Sequence, residues 1–183
     1  MRIKDIRLPL AAAILLAACN SHMETIPDRA DSADQEVTEA HVVRSENGRK
    51  QLELDAKLIQ KYERPRAITK YRSRDGVPVR MRFFDANDGH VTVTITADSA
   101  ISFDDRNIME AHGNVVVIDY GNGDTIYLQD LIWNDNDDRV YSDHPVRARN
   151  GKRLTEGDAF TSDSRMEHME IVHQRGVVEF KDD

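Results

Sequence analysis

The stretch VTVTITADSAISFDDRNIMEAHGNVVV, residues 91–117, decides the fold of this chain. Apolar and β-branched side chains alternate with polar ones on both sides of an acidic segment, and this pattern predicts two strands joined by a polar turn. Sliding the sequence by 31 residues places Ala100 on Leu131, and a second slide places Val146 on Val177. Self-similarity at a fixed period is typical of proteins built by repeating one supersecondary unit. We therefore predict a series of stacked β-hairpins.

The segments around this stretch have the same character. Every second side chain in residues 78–84 is apolar, which predicts a half-buried strand, and Asn47-Gly48 predicts a tight hairpin because both residues tolerate positive φ. Residues 58–75 leave helix and extended conformations open, although Pro65 excludes a long helix. Further turn signals occur at Gly121–Asp124, Asn134–Asp138, Asn150–Lys152 and Ser162–Arg165. Because no amphipathic helix is available for parallel crossovers, we predict an all-β antiparallel sandwich, jelly roll or barrel.

The first residues of the chain predict export. Three basic residues precede an apolar run at 8–18, which has the length of a signal-peptide core and is too short to span a membrane. Cys19, the only cysteine, follows Leu16-Ala17-Ala18, a pattern that resembles the bacterial lipobox. We expect cleavage before Cys19 and lipidation of its thiol, which would anchor the chain without a transmembrane helix. The alternative is an ordinary signal peptide, and in either case one cysteine cannot form an intrachain disulfide.

Composition changes again after the cysteine. Residues 19–40 are acidic, contain few large apolar side chains and show no periodicity, so we expect a solvated tether. Residues 41–183 then form the predicted domain, which starts near His41. The net charge of −8 gives no indication of nucleic-acid binding.

We find no pattern that indicates catalysis or a cofactor. The carboxylates fall in turns and on polar strand faces, and none is set in an apolar environment as a general acid would require. Asn134–Asp138 lacks the glycine and distal glutamate of a calcium loop, and we interpret it as a hairpin turn. His168 and His173, five positions apart, would point to opposite faces of a strand, which argues against zinc. We therefore expect no enzyme, no metal and no cofactor.

An ordered set of motifs is similar to the LptC family, the periplasmic bridge proteins of lipopolysaccharide export, and most similar to its lipoprotein form from Bacteroidetes. The motifs follow the predicted lipobox and acidic tether. They are Gly113-Asn114-Val115, Leu131-Ile132-Trp133, Val140–Val146, Gly157–Met166 and Gly176-Val177-Val178. The resemblance covers residues 41–180.

The resemblance implies an open, twisted β-jellyroll that binds the acyl chains of lipopolysaccharide and breaks no bond. The implied partners are the LptF and LptG transporter subunits with the LptB ATPase, and an LptA-like bridge that receives the lipid. The implied location is the periplasmic side of the inner membrane, with the outer membrane as an alternative site for the lipid anchor. Better-known members carry a transmembrane anchor where this chain has its predicted lipobox.

The alternating apolar side chains would supply the walls of such a groove, although ordinary core packing explains each of them equally well. The predicted lipid-binding residues are Met81, Phe83, Val91, Val93, Ile95, Val115, Val146, Ile171 and Val177. An open jellyroll also leaves strand edges free for pairing with other chains.

The final strand, with residues Gly176, Val177, Val178, Glu179 and Phe180, is the predicted edge for the downstream bridge. Strands at 41–44 and 52–56 would face the transporter. Two other classes stay open: a structural or assembly-factor lipoprotein with a filled β-sandwich, and a periplasmic hydrolase.

Overall fold

The computed structural model describes residues 32–179, and within this range every regular element is a β-strand. The strands are β1 Gln35–Glu46, β2 Arg49–Tyr62, β3 Ile68–Arg72, β4 Val79–Phe84, β5 Val91–Ala97, β6 Ser99–Phe103, β7 Ile108–Asp119, β8 Asp124–Asn134, β9 Arg139–Ser142, β10 Val146–Asn150, β11 Arg153–Gly157, β12 Ala159–Asp163, β13 Glu170–Val172 and β14 Arg175–Glu179. All the described strand pairings are antiparallel, which confirms the all-β prediction. The described part contains no helix long and apolar enough to cross a membrane.

The strands form two layers that share four long strands. The first layer runs β1-β2-β4-β5-β7-β8-β10-β11-β14, and the second runs β1-β2-β3-β6-β7-β8-β9-β12-β13. β8 shows how one strand serves both layers: its residues 124–127 pair with β10, and its residues 132–134 pair with β9. The shared strands therefore bend from one layer into the other, and the bends form a corner along one side.

Polar contacts at the corner hold each bend in place. The Asp98 amide donates to the Gly113 carbonyl at 2.9 Å, and the Asn114 side-chain amide donates to the Asp98 carboxylate at 2.7 Å. One bend further along, the Ser142 hydroxyl donates to Asp130 at 2.6 Å. A bend disrupts the ladder locally, so these side chains supply hydrogen bonds that regular pairing cannot.

The two layers face one another across a common core. A single buried cluster contains Val93 and Val146 from the first layer together with Val140 and Phe160 from the second. The opposite side from the corner is lined by the hairpin turns of both layers, so the arrangement is a jellyroll that is open along that side.

The repeat predicted from the sequence is present in the strands. A shift of 31 residues carries β6 onto the second half of β8 and then onto β12, and it carries β10 onto β14. Each repeat is a hairpin whose two arms bend at the corner, because neither layer alone could bury the apolar faces of the hairpin.

Two expectations need correction, and one open question is answered. Residues 91–117 form three strands, β5, β6 and β7, because the chain crosses between layers at Asp98. The folded segment begins at Gln35, inside the expected tether, because β1 pairs with β2 along an edge where exposed polar side chains are tolerated. Residues 58–75, for which the sequence leaves helix and extended conformations open, contain the end of β2 and the whole of β3. The predicted signal peptide and Cys19, like Phe180, lie outside the described residues.

Candidate functional site

The interior between the layers is one continuous apolar strip. A small cluster of Leu54, Ala56 and Val79 lies at the β2 end, and the large cluster described above extends from β4 to β12. Leu52 and Met81 pack against both clusters, and they join them into a single surface. Alternation along each strand places these side chains inward, and the turns that join the strands are polar.

Most of the predicted lipid-binding residues meet in this strip. Five of them lie in the large buried cluster: Phe83, Val93, Ile95, Val115 and Val146. Met81 and Ile171 pack against the cluster, whereas Val91 is half-buried and lies outside it. Val177 is placed by its backbone pairing with Thr155 in β11.

The strip also contains residues that the sequence interpretation did not select. Those in the large cluster or against it include Leu52, Ala111, Val117, Ile126, Leu128, Leu131, Trp133, Val140, Ala148, Phe160, Met166 and Met169. The sequence contains a signal for most of these residues, because inward positions along a strand follow a period of two with one longer step at a bend, such as the step from Leu128 to Leu131. Met166 does not follow this pattern. It lies in a turn, with a φ of 59°, and its side chain is nevertheless buried.

A cleft of about 910 Å³ lies along the open side, between the turns of the two layers. Its walls include Phe83 and Val93 from the first layer, and Trp133 and Met166 from the second. The rings of Phe83 and Trp133 stack across the gap, with centroids 5.3 Å apart and an angle of 18° between their planes. The rim is mainly polar, so the cleft leads from an aqueous edge to the apolar strip.

The turns at the open side are connected within each layer. In the first layer, Asn150 donates to the Asn122 carbonyl at 2.9 Å. In the second layer, the Asn136 side-chain amide donates to the Arg106 carbonyl at 2.7 Å, and Ser164 hydrogen-bonds Asp138. Hydrogen bonds therefore join neighbouring turns within each layer and give each layer a polar margin of its own.

A charged cluster covers the outer face of the first layer near β1. Glu53 has a side chain only 8% exposed, and its carboxylate contacts Lys50 and lies 3.1 Å from the Arg82 guanidinium. The hydrogen bond from Lys50, with the positive charge of Arg82, lowers the pKa of Glu53 despite its burial. Burial opposes the ionisation of Asp55, but hydrogen bonds from His41 and Arg82 outweigh it and lower the pKa of that carboxyl as well.

Two groups of side chains have ligand atoms close enough to suit a metal ion. They are Asp85 with Asp88 and His90, and Asp163 with Glu167 and His168. Their histidines are exposed and bonded to aspartates, and the hydrogen bond and charge of Asp163 raise the pKa of His168. His173, considered with His168 in the sequence, lies 3.6 Å from Asp158 instead. We assign no metal to either group.

Both ends of the first layer are edge strands in the described part of the chain. β1 pairs with β2, and β14 pairs with β11, each along one side. Val37, Val42 and Val43 in β1 are roughly half-exposed, at 52%, 45% and 45%. Edges of this kind can accept a further strand from another protein.

Comparisons with known proteins give one family and one described structure. A family model described as LptC, "Lipopolysaccharide-assembly, LptC-related", matches residues 10–179. No curated protein matches the chain by sequence. Among solved structures, the chain is similar to LptH, the LptA-homologous periplasmic component of the lipopolysaccharide transport device of Pseudomonas aeruginosa. That similarity has a TM-score of 0.46 at 11% identity and covers 67% of this chain and 82% of that chain.

Proposed function

Because the chain belongs to the lipopolysaccharide-assembly, LptC-related family and is thus a component of lipopolysaccharide transport, we propose that its apolar interior carries lipopolysaccharide acyl chains across the periplasm. The continuity of the strip through Leu52 and Met81 is the observation that carries this proposal. An acyl chain gains about 0.8 kcal/mol for each methylene that leaves water, so a long apolar wall can bind it without catalytic groups.

The two edge strands suggest how the lipid is received and passed on. In this proposal the β1 and β2 end faces the LptF and LptG subunits, which the LptB ATPase drives, and β14 pairs with the first strand of an LptA-like bridge. Backbone hydrogen bonds across such an edge would continue the apolar strip from one protein into the next. Exposed valines in β1 support an interface at the receiving end.

The predicted N-terminal lipid would keep this domain beside the transporter. Acyl chains on Cys19 would anchor the protein at the periplasmic side of the inner membrane, and residues 20–34 would span the distance to β1. Sorting of the same anchor to the outer membrane is the alternative location.

A structural or assembly-factor role is the second candidate, and one observation favours it. The interior is closely packed, with Val117 and Val140 at 0% exposure and Phe160 at 1%. A filled sandwich needs no ligand, whereas a lipid carrier with this interior has to separate its layers to admit an acyl chain. The two candidates therefore differ in whether lipid reaches the interior.

Photo-crosslinking distinguishes these candidates. We expect a photoreactive amino acid at Val93 or Val146 to capture lipopolysaccharide in cells, because both side chains lie in the strip at 2% and 1% exposure. The matched control is the same amino acid at Tyr127, which is 44% exposed and adjoins the buried Ile126.

Adducts at the two interior positions but not at Tyr127 would support the carrier. Absence of adducts from several inward positions, in a protein of normal abundance, would favour the filled sandwich.

A further inference from the structure

The open side of the jellyroll has two margins and an aromatic contact between them. Hydrogen bonds such as Asn150 to Asn122 and Asn136 to Arg106 join neighbouring turns within one layer. The stack of Phe83 on Trp133 joins the two layers. The strength of this stack depends on the contact area between the two rings. The rings can separate and stack again without breaking the hydrogen bonds within either margin.

The position of Trp133 suits the boundary between water and the apolar strip. Its indole nitrogen donates to Asp135 at 2.6 Å on the open side, while its ring lies on Phe83. Phe83 is only 6% exposed and belongs to the buried cluster, and Trp133 packs against that cluster. The indole thus has a polar end at the rim and an apolar body over the strip.

The cleft and the strip meet at this pair. Phe83, Val93 and Met166 line the cleft and also belong to the buried cluster. Val146 belongs to the same cluster but lines a different cavity, beside Leu128 and Gly157. The two rings touch between the layers where the cleft adjoins the cluster, so a chain that moved from the cleft toward Val146 past this contact would separate them.

We propose that the Phe83–Trp133 pair is a closure of the lipid-binding interior, and that an acyl chain enters sideways through the cleft by separating these rings. The inference rests on the proposed function. The layers are connected at the corner on the opposite side, where Gly113 has a φ of 76° and the register shifts between His112 and Val115, so a separation of the rings leaves the layers joined there. A single acyl chain could replace each ring as an apolar neighbour of the other while it passes.

The test joins the two positions covalently in the full-length protein in cells. Facing sheets lie about 10 Å apart, which is beyond the reach of a disulfide, so we choose a short bis-maleimide and the double variant Phe83→Cys with Trp133→Cys. Each thiol adds across one maleimide double bond, with no leaving group. A photoreactive amino acid at Val146 then reports whether lipopolysaccharide reaches the strip.

The matched control tethers two cysteines within one layer. Arg80 and Thr96 are direct partners on β4 and β5 and belong to neither core cluster, so Arg80→Cys with Thr96→Cys tethers two strands of one layer and leaves the layers free to separate. The single-cysteine variants report any effect of the reagent on Cys19 or on one modified side chain. The untreated double variant shows whether the substitutions themselves permit folding and loading.

We expect the tether between positions 83 and 133 to abolish the lipopolysaccharide adduct at Val146, and the tether between positions 80 and 96 to preserve it. An undiminished adduct in the layer-to-layer tethered protein would overturn the closure while leaving the proposed function in place. If Val146 captured no lipopolysaccharide even in the untreated wild-type background, the proposed function would fail and the closure with it.

Discussion

Glu53 is a charged residue whose environment is set by three strands. It lies on the outer face of β2, beside Arg82 on β4 and His41 on β1, and its side chain is almost inaccessible. A desolvated carboxylate is stable only with partners, and Lys50 and Arg82 supply them. The sequence shows only alternating charges in this region, because no local pattern reveals which residue the neighbouring strands will cover.

Neutralising Glu53 is therefore expected to destabilise the protein. Glu53→Gln should lower the free energy of unfolding by about 1–2 kcal/mol, because Lys50 and Arg82 lose a carboxylate while the shape of the side chain is kept. The measurement is urea denaturation of the purified protein. Glu156→Gln is the control, since Glu156 pairs with Arg147 on the surface, and such an exposed pair contributes roughly 0.2–1 kcal/mol. Equal effects of the two substitutions would contradict the burial argument.

The same residue should contribute to a dependence of stability on pH. A carboxyl whose pKa is lower in the folded state than in the unfolded chain stabilises the fold above its ordinary pKa. That contribution is lost as the pH falls through the lowered value. We expect the urea midpoint to fall between about pH 5 and about pH 3, and to fall less in Glu53→Gln. A midpoint that rose on acidification would show that the sign is wrong.

The bends between layers are the elements that distinguish this fold from a flat series of hairpins. At two of the bends the buried positions step by three residues, from Ala97 to Ala100 and from Leu128 to Leu131, whereas along β7 the step from Ala111 to Val115 is four. The period of two resumes after each step. A sequence comparison at 31-residue spacing detects the repeat, but the step alone does not tell whether the chain turns a corner or merely contains a bulge.

Substitution of Gly113 measures how closely the residues at the bend in β7 are packed. Gly113 and Gly48 both have a φ of 76°, but a Cβ on Gly113 would lie 2.6 Å from the Asp98 carboxylate, whereas Gly48 has nothing within 4 Å. Gly48→Ala should cost about 1 kcal/mol for its backbone conformation alone. Gly113→Ala should cost about 2–4 kcal/mol, because the clash adds to the same backbone penalty. Denaturation curves of the two variants provide the comparison, and similar losses would mean that the corner relaxes freely.

We predict that the terminal strand, β14, binds the downstream LptA-like bridge. Removing residues 177–183 deletes most of β14 and exposes the edge of β11, so binding to the LptA-like bridge should be lost while binding to the transporter is kept. Co-purification with each partner measures both interactions. A chain shortened only by residues 181–183 keeps the described part of β14 and is the control. Unchanged recovery of the bridge with the longer deletion would rule out this edge.

At the scale of the whole molecule, we predict that a lipid on Cys19 sets the location of the protein. Cys19→Ser removes the thiol that lipidation requires, so we expect the protein to move from the membrane fraction to the soluble fraction of the periplasm. Cell fractionation measures the change, and Asn20→Ala, which keeps Cys19, is the control. Persistence of Cys19→Ser in washed membranes would mean that another feature holds the protein there.

The sequence by itself determined the strand content, the repeat, the predicted export signal and the family resemblance. Alternation, turn residues and lipobox spacing depend only on residues that are close together in the chain, so they can be recognised without the tertiary structure. The same alternation also selected Phe83, Val93, Ile95, Val115 and Val146, which share the interior cluster.

Only the tertiary structure decided how the strands divide between two layers, where the open side lies and which residues meet across it. Phe83 and Trp133 are fifty positions apart and belong to different layers, yet their rings stack. Such contacts depend on the bends that fold one set of strands over the other. Long-range packing of this kind has no counterpart in the local pattern of either residue.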